Sequence, residues 1–266
     1  MMRRKFAGPK ACLVGMGMAL LSLSACVIPT TPEEQEQLEE TNDPLEPTNR
    51  YIFEVNRFLD EMAIKPVAWW YRIGVPEPAR DRIRNVLANL RLPWTAVNDV
   101  FQWELERAYT ALARFTINTT LGVVGIFDVA TDMGFPHHEE DAGQTFAVWG
   151  AGEGPYLVLP VLGPSNVRDA AGLGVGFFAD PVNIALGGVD AATIGRGALT
   201  GIDTRERNIE TLADLERNSL DFYATIRSIY RQRRDAEIRN SESGADTPTP
   251  RLSAQPSPPA DSVLQN

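Results

Sequence analysis

The chain has 266 residues, with 35 Asp and Glu against 25 Lys and Arg for a net charge of −10, and 44% of it is hydrophobic. That length can support a real core. The acidity argues against nucleic acid as a partner, and against broad electrostatic attraction to an anionic membrane surface.

The N-terminus carries Arg3, Arg4, Lys5 and Lys10, an apolar run from Ala11 to Leu21, and then small residues. This is the layout of a secretory signal, and the run falls short of the ~20 apolar residues that span a bilayer. Leu23-Ser24-Ala25-Cys26 resembles the lipobox of bacterial lipoproteins. The resemblance implies removal of residues 1–25 and acylation of Cys26, the only covalent group expected and in place of any cofactor. Multiple acyl chains make attachment effectively stable, at about 0.8 kcal/mol per buried methylene. Val27 is not an aspartate, which by the sorting rule of such lipoproteins implies the outer membrane. Once the signal is gone, 21 cations face 35 acids for a net charge of −14, and Cys26 is the one cysteine left. A disulfide within the chain is then excluded.

Residues 26–42 are rich in Pro, Thr, Glu and Gln and read as a flexible tether of about 20–25 Å reach. A Pro- and Ser-rich tail, 240–266, reads as disordered. The folded domain is expected over 43–239.

Within it, Tyr51, Val55, Phe58 and Met62, flanked by Ile52 and Leu59, form one apolar stripe at helical spacing. The first helix is expected over Arg50 to Lys65. A second starts near Pro78, with Ile83, Val86, Leu87 and Leu90 on one side and Arg80, Arg82, Arg84 and Arg91 largely on the other. Ala96–Phe101 and Glu104–Asn118 are expected as two more. After Asp203, Leu212, Leu215, Phe222, Ile226 and Ile229 keep a 3-4 rhythm with Ser219 in the gap, which predicts one helix of about eight turns. Its other faces, with Arg205, Glu206, Glu210 and Arg231 to Arg234, read as solvated.

The stretch 149–188 is dense in Gly and Pro, beyond what ordinary helices tolerate. Its apolar pieces are too short to span a bilayer, so they belong either to the core or to a lipid interface. Irregular backbone at membrane depth needs protein or a water-filled cavity to satisfy its polar groups, which points to a lined cavity.

Catalytic signatures are missing: no G-x-S-x-G, H-E-x-x-H or P-loop occurs. Gly172-x-Gly174-x-Gly176 lacks dinucleotide spacing and reads as small-residue packing. His137-His138-Glu139-Glu140-Asp141 reads as an exposed acidic turn rather than a metal site.

Several ordered segments together resemble the MlaA/VacJ phospholipid-transport lipoproteins, over about 43–235. They are Asp43-Pro44-Leu45-Glu46 with Asn49-Arg50, Lys65-Pro66-Val67-Ala68 and Val75–Asn89, then Arg114 through Ala130. Next come Glu140–Thr145, Gly152–Pro160, Gly163-Pro164-Ser165 and Arg168-Asp169, and last Asp221-Phe222-Tyr223 with Arg227, Tyr230 and Gln232. Ala142 departs from the pattern, where an aromatic residue is expected, and the first helix is about one residue short.

The resemblance implies an all-α, ring-like bundle of amphipathic helices with a Gly/Pro-rich irregular segment. It would lie in the inner, periplasm-facing leaflet of the outer membrane around an amphipathic channel, beside a trimeric porin. Phospholipid misplaced in the outer leaflet would pass through it to a periplasmic lipid carrier protein and an inner-membrane ABC-type complex. Exposing two acyl tails to water costs on the order of 20 kcal/mol, so the tails must be shielded on the way. Candidates for the channel wall or lipid contact are Phe115, Asn118, Gly122, Gly125, Tyr156, Leu159 and Arg168. For Arg168 an internal pair with Asp169 is the stronger reading, and for Asn118 and Asp128 a capping or turn role is. The alternative function is a structural, porin-associated envelope lipoprotein that moves no lipid. A phospholipase would need machinery that the motif search does not find.

Overall fold

The computed structural model describes residues 41–188 and 190–239; the signal, Cys26, most of the tether and the tail lie outside them. Asp43, near the start of the described residues, is buried. Asn42 already belongs to the fold, because its side-chain amide donates to Glu153 Oε1 and to the Gly154 carbonyl.

Helix α1 (Glu46–Leu59) carries proline in its first turn and Glu46 at its positive end. It runs through a π-helical turn, Asp60–Ile64, into α2 (Lys65–Gly74). Pro66, in the first turn of α2, has no N–H to give, and the Lys65 N–H reaches back five residues to the Asp60 carbonyl. A single extra residue is thereby absorbed without a break.

Helix α3 (Glu77–Phe101) is continuous, where the sequence suggested two helices. Pro93 inside it forfeits one hydrogen bond, but Leu92 and Ala96 on either side of it pack on Ala111 and Phe115 of α4 (Leu105–Thr120). Small side chains let the two backbones approach closely, and that packing carries the helix across the proline.

The Gly- and Pro-rich segment differs most from expectation. Tyr156–Leu159 (β1) pairs antiparallel with Gly163–Asn166 (β2), Tyr156 opposite Asn166. The glycine run then forms a true helix, α7 (Val167–Ala179), after the short helices α5 (Val129–Asp132) and α6 (Ala142–Val148). Glycine is required there by crowding: a Cβ on Gly172 would sit 2.4 Å from the Gly143 nitrogen of α6. Asn166 caps α7 by accepting from the Asp169 N–H at 2.7 Å.

The free edge of β1 is closed by α1. Asn49 donates to the Tyr156 carbonyl and accepts from the Val158 N–H, both at 3.0 Å. Two turns on, Asn56 donates to the Leu159 carbonyl and accepts from the Val161 N–H. Two side-chain amides therefore replace a third strand.

Helices α8 (Pro181–Ala185), α9 (Ala191–Arg207), α10 (Ile209–Asn218) and α11 (Phe222–Ile238) complete the chain. The single long C-terminal helix expected after Asp203 is therefore broken at Asn208 and again at Ser219, whose backbone is extended. Asp221 restarts the chain as N-cap of α11.

Candidate functional site

The distribution of polarity is the unusual feature of this fold. Among the described residues, the buried set holds 11 hydrophobic residues, six of them alanine, against 23 polar or charged ones. Large apolar side chains stand outside instead: Tyr51, Phe58, Met62, Trp69, Trp70 and Ile73 on α1, the π turn and α2 are all more than half exposed. The stripe at helical spacing is real, but it faces outward. Helix α1 buries Asn49 and Phe53 on its other side.

The interior is held by charge. On α11, Tyr223 and Arg227 both donate to Asp43, the arginine at 2.7 Å, and Asn49 adds a third bond at 2.7 Å. Seven residues later the same pair recurs, for Tyr230 donates to Asp169 at 2.5 Å and Arg234 at 3.0 Å. Two turns of helix thus present the same Tyr-x-x-x-Arg clamp twice, each closing on one buried carboxylate. Burial pushes both tyrosine hydroxyls well above their ordinary range, and the facing aspartate raises them further. Arg234 also forks onto Asp141 with two bonds of 2.7 Å. Burial would lift the Asp141 carboxyl, but the guanidinium outweighs it and holds it below the usual range.

Other faces expected in solvent are also inside. Glu206 is buried among Arg72, Arg80 and Arg84, and Arg205 makes a fork on Asp60 at 2.7 and 2.8 Å. The presumed acidic turn at 137–141 is in part core: Glu140 is buried and accepts from Gln102 and Arg107, and His138 lies 2.9 Å from Asp99. Burial raises the Glu140 carboxyl in spite of these donors.

The segment after α4 is locked in the same manner. Arg114 holds Asp128 with two bonds of 2.9 and 2.8 Å, and Asn118 donates to Asp128 and accepts from the Ala130 N–H. Asp128 caps α5. This clamp supports a strained turn, with Val123 at φ 55° and Val124 at φ 58°, a region that β-branched residues rarely enter. Trp103 and Val161 also have positive φ, at 65° and 67°. All four are exposed, Trp103 at 84%. Backbone strain costs of the order of 1–3 kcal/mol per residue, and here it turns apolar side chains outward.

The seven wall candidates fall into two groups. Gly122 and Gly125 are buried turn residues; a Cβ on Gly122 would lie 2.2 Å from the Phe127 carbonyl oxygen, and one on Gly125 2.7 Å from the Asn89 side chain. Asn118 is taken up by the Asp128 clamp, Arg168 pairs with Asp169 at 3.1 Å, and Tyr156 packs against Tyr223 and Tyr230. These five are engaged in packing, pairing and capping contacts within the fold. Phe115 and Leu159 remain half-buried.

The residues that sequence reasoning passed over are tryptophans. Four of the five, Trp69, Trp70, Trp103 and Trp149, are exposed. Their signal was available at 69–70, because consecutive helical positions point about 100° apart and two adjacent indoles cannot easily share one core. Trp149 meets Phe101 edge-on at 6.0 Å and donates to its carbonyl at 2.9 Å.

No helix among the described residues is long and apolar enough to cross a membrane, and none of these residues form a group of three or more His, Cys, Asp or Glu that could hold a metal. The outward-facing apolar side chains suit contact with an apolar medium. Exposed patches of this extent mark interaction or membrane surfaces.

The MlaA lipoprotein family model matches residues 41–237. The chain is 36% identical over 208 residues to an uncharacterized protein of Rickettsia bellii, covering 75% of this chain and 78% of that one. It is 36% identical over 200 residues to the intermembrane phospholipid transport system lipoprotein MlaA of Escherichia coli K12, covering 73% and 77%. A chain solved in work on the structural basis for maintenance of bacterial outer membrane lipid asymmetry is 34% identical, with a TM-score of 0.67, and the match covers 74% of this chain and 98% of that one.

Proposed function

This chain belongs to the MlaA lipoprotein family, and from that premise we propose that it is the outer-membrane lipoprotein of an intermembrane phospholipid transport system. Acyl chains on Cys26 anchor it, and its exposed apolar faces lie in the periplasm-facing leaflet of the outer membrane. Phospholipid misplaced in the outer leaflet enters a passage through the domain, beside a trimeric porin, and leaves toward a periplasmic carrier protein and an inner-membrane ABC-type complex. The observation that carries this reading is the inverted polarity, with large apolar side chains outside and ion pairs within, in a domain without a spanning helix among its described residues.

The energetics follow from that arrangement. Each large apolar side chain moved from water into hydrocarbon contributes about 1.5–3 kcal/mol, so the outward faces favour the leaflet even without a net positive charge. Lipid tails in transit need shielding, and Phe115 and Leu159, half-buried beside the clamped segments, are the wall positions the reading retains. The chain's own role is passive conduction and positioning; a gradient or the downstream complex supplies the drive.

The test is outer-leaflet phospholipid in cells lacking this protein, restored with the wild-type chain or with Cys26→Ala. Accumulation cured by wild type and not by the unlipidated chain supports anchored lipid clearance. No accumulation rejects it in favour of a porin-associated scaffold.

A further inference from the structure

Among the described residues nearly every arginine is held in an ion pair, at the surface or inside, whereas one cation in an open cleft is not. Lys65 is the only lysine after Lys10. Among the described residues neither Lys65 nor Glu61 makes an ion pair within 4.0 Å. Both line an open cleft of about 500 Å³ together with Pro66, Trp69, Trp70 and Ile209, a volume within the ~300–1,000 Å³ of small-molecule sites.

The cleft follows from the π turn. Glu61, Lys65 and Trp69 recur at intervals of four, and Pro66 and Trp70 form a second row beside them, so acid, base and two indoles are displayed along one side of the α1–α2 junction. Ile209, at the start of α10, closes the far wall. The two indoles meet edge-on with ring centroids 5.9 Å apart.

We propose that this cleft is a subsite for the headgroup of a zwitterionic, amine-bearing phospholipid, the phosphate taken by Lys65 and the ammonium by Glu61. This rests on the lipid-transport reading above. The charge pattern matches in order and sign: a phosphate and an amine separated by a short linker meet a cation and an anion close to one helical turn apart. Trp69 and Trp70 supply the level at which the headgroup is held, because indoles settle at the boundary between polar headgroups and hydrocarbon. Their rings cover the glycerol and the first methylenes, and a lysine stem can lie along such apolar surface while its ammonium stays in the polar layer. Free phosphate would gain only the lysine, with no apolar contact and with Glu61 opposing it.

The test is lipid binding by the full acylated chain in detergent, read by native mass spectrometry, with phosphatidylethanolamine, phosphatidylglycerol and inorganic phosphate as probes. Lys65→Gln should weaken both lipids about tenfold, the size of one charge-assisted hydrogen bond in a half-open site. Glu61→Gln should weaken phosphatidylethanolamine several-fold and leave phosphatidylglycerol unchanged or tighter. Both positions are exposed and unpaired, so the variants keep the wild-type fold. Unchanged phosphatidylethanolamine affinity in Lys65→Gln, or equal losses for both lipids in Glu61→Gln, overturns the subsite while wild-type lipid binding upholds the function. Saturation by inorganic phosphate alone at the lipid's affinity overturns it as well. A wild-type chain that binds neither lipid overturns the subsite together with the lipid-transport reading.

Discussion

Helix α11 and the α1–α2 pair use similar residues in opposite ways. On α11, arginine and tyrosine turn inward to meet Asp43 and Asp169; on α1–α2, Tyr51, Phe58, Trp69 and Trp70 turn outward. In water the second arrangement would be unfavourable, and the first would be costly to desolvate. Against a lipid leaflet both make sense. Hydrocarbon cannot satisfy a charge, so charges pair inside, and it has no preference against an aromatic ring, so rings go outside. The difference shows that the interior specifies the shape and the exterior specifies the medium.

Breaking the inward half should have the largest effect. Arg234→Ala strips Asp169 and Asp141 of a shared partner whose side chain is 10% exposed, and it should destabilise the fold by about 3–5 kcal/mol, read by thermal unfolding in detergent. Gly172→Val should follow at roughly 2–3 kcal/mol, because the added carbons collide with the α6 backbone at Gly143.

The next test adds pH. Burial would raise the Asp128 carboxyl, but Thr131, Asn118 and Arg114 together hold it below its ordinary value. A carboxyl depressed in the folded state stabilises fully above its unfolded pKa and loses that contribution as pH falls through the folded pKa. Asp128→Asn should therefore cost about 2 kcal/mol at pH 7, and the gap between variant and wild type should close below about pH 4. A gap that stays constant into acid would break the assignment of Arg114–Asp128 as the clamp of the 121–128 turn.

The outward half should show the reverse behaviour. Trp69→Ser with Trp70→Ser should change unfolding in detergent by no more than about 0.5 kcal/mol. In a Cys26→Ala background, where acyl chains no longer dominate, the same pair should lower vesicle partitioning at least about tenfold. Equal losses in both assays would mean that the indoles pack the fold rather than meet the leaflet.

Periodicity made the helices legible, but not which way they face. The 3-4 spacing of Tyr51, Val55, Phe58 and Met62 reports that one side of the helix differs from the other, and it is silent on which medium that side meets. The burial of Asn49 is not legible from its neighbours in sequence, because its value lies in closing the β1 edge more than a hundred positions away. The repeat of Tyr223 and Arg227 at Tyr230 and Arg234 was in plain view, but it is a polar repeat and escapes a search for apolar stripes. Continuous α3 and helical α7 were hidden for a different reason: Pro93 and the glycines of α7 oppose helix locally, and tertiary packing overrides them. The breaks at Asn208 and Ser219 were masked by apolar residues that keep their rhythm across both. The capping and turn roles of Asn118 and Asp128 and the Arg168–Asp169 pair were readable because each is local in sequence.

The most direct test of an outward-facing apolar exterior is tryptophan quenching of the acylated chain in phospholipid vesicles, by nitroxide-labelled lipids on one side and aqueous iodide on the other. With four of five tryptophans exposed, the account predicts strong quenching by the lipid-borne nitroxide and little by iodide. Strong iodide quenching with no response to the labelled lipids would contradict it.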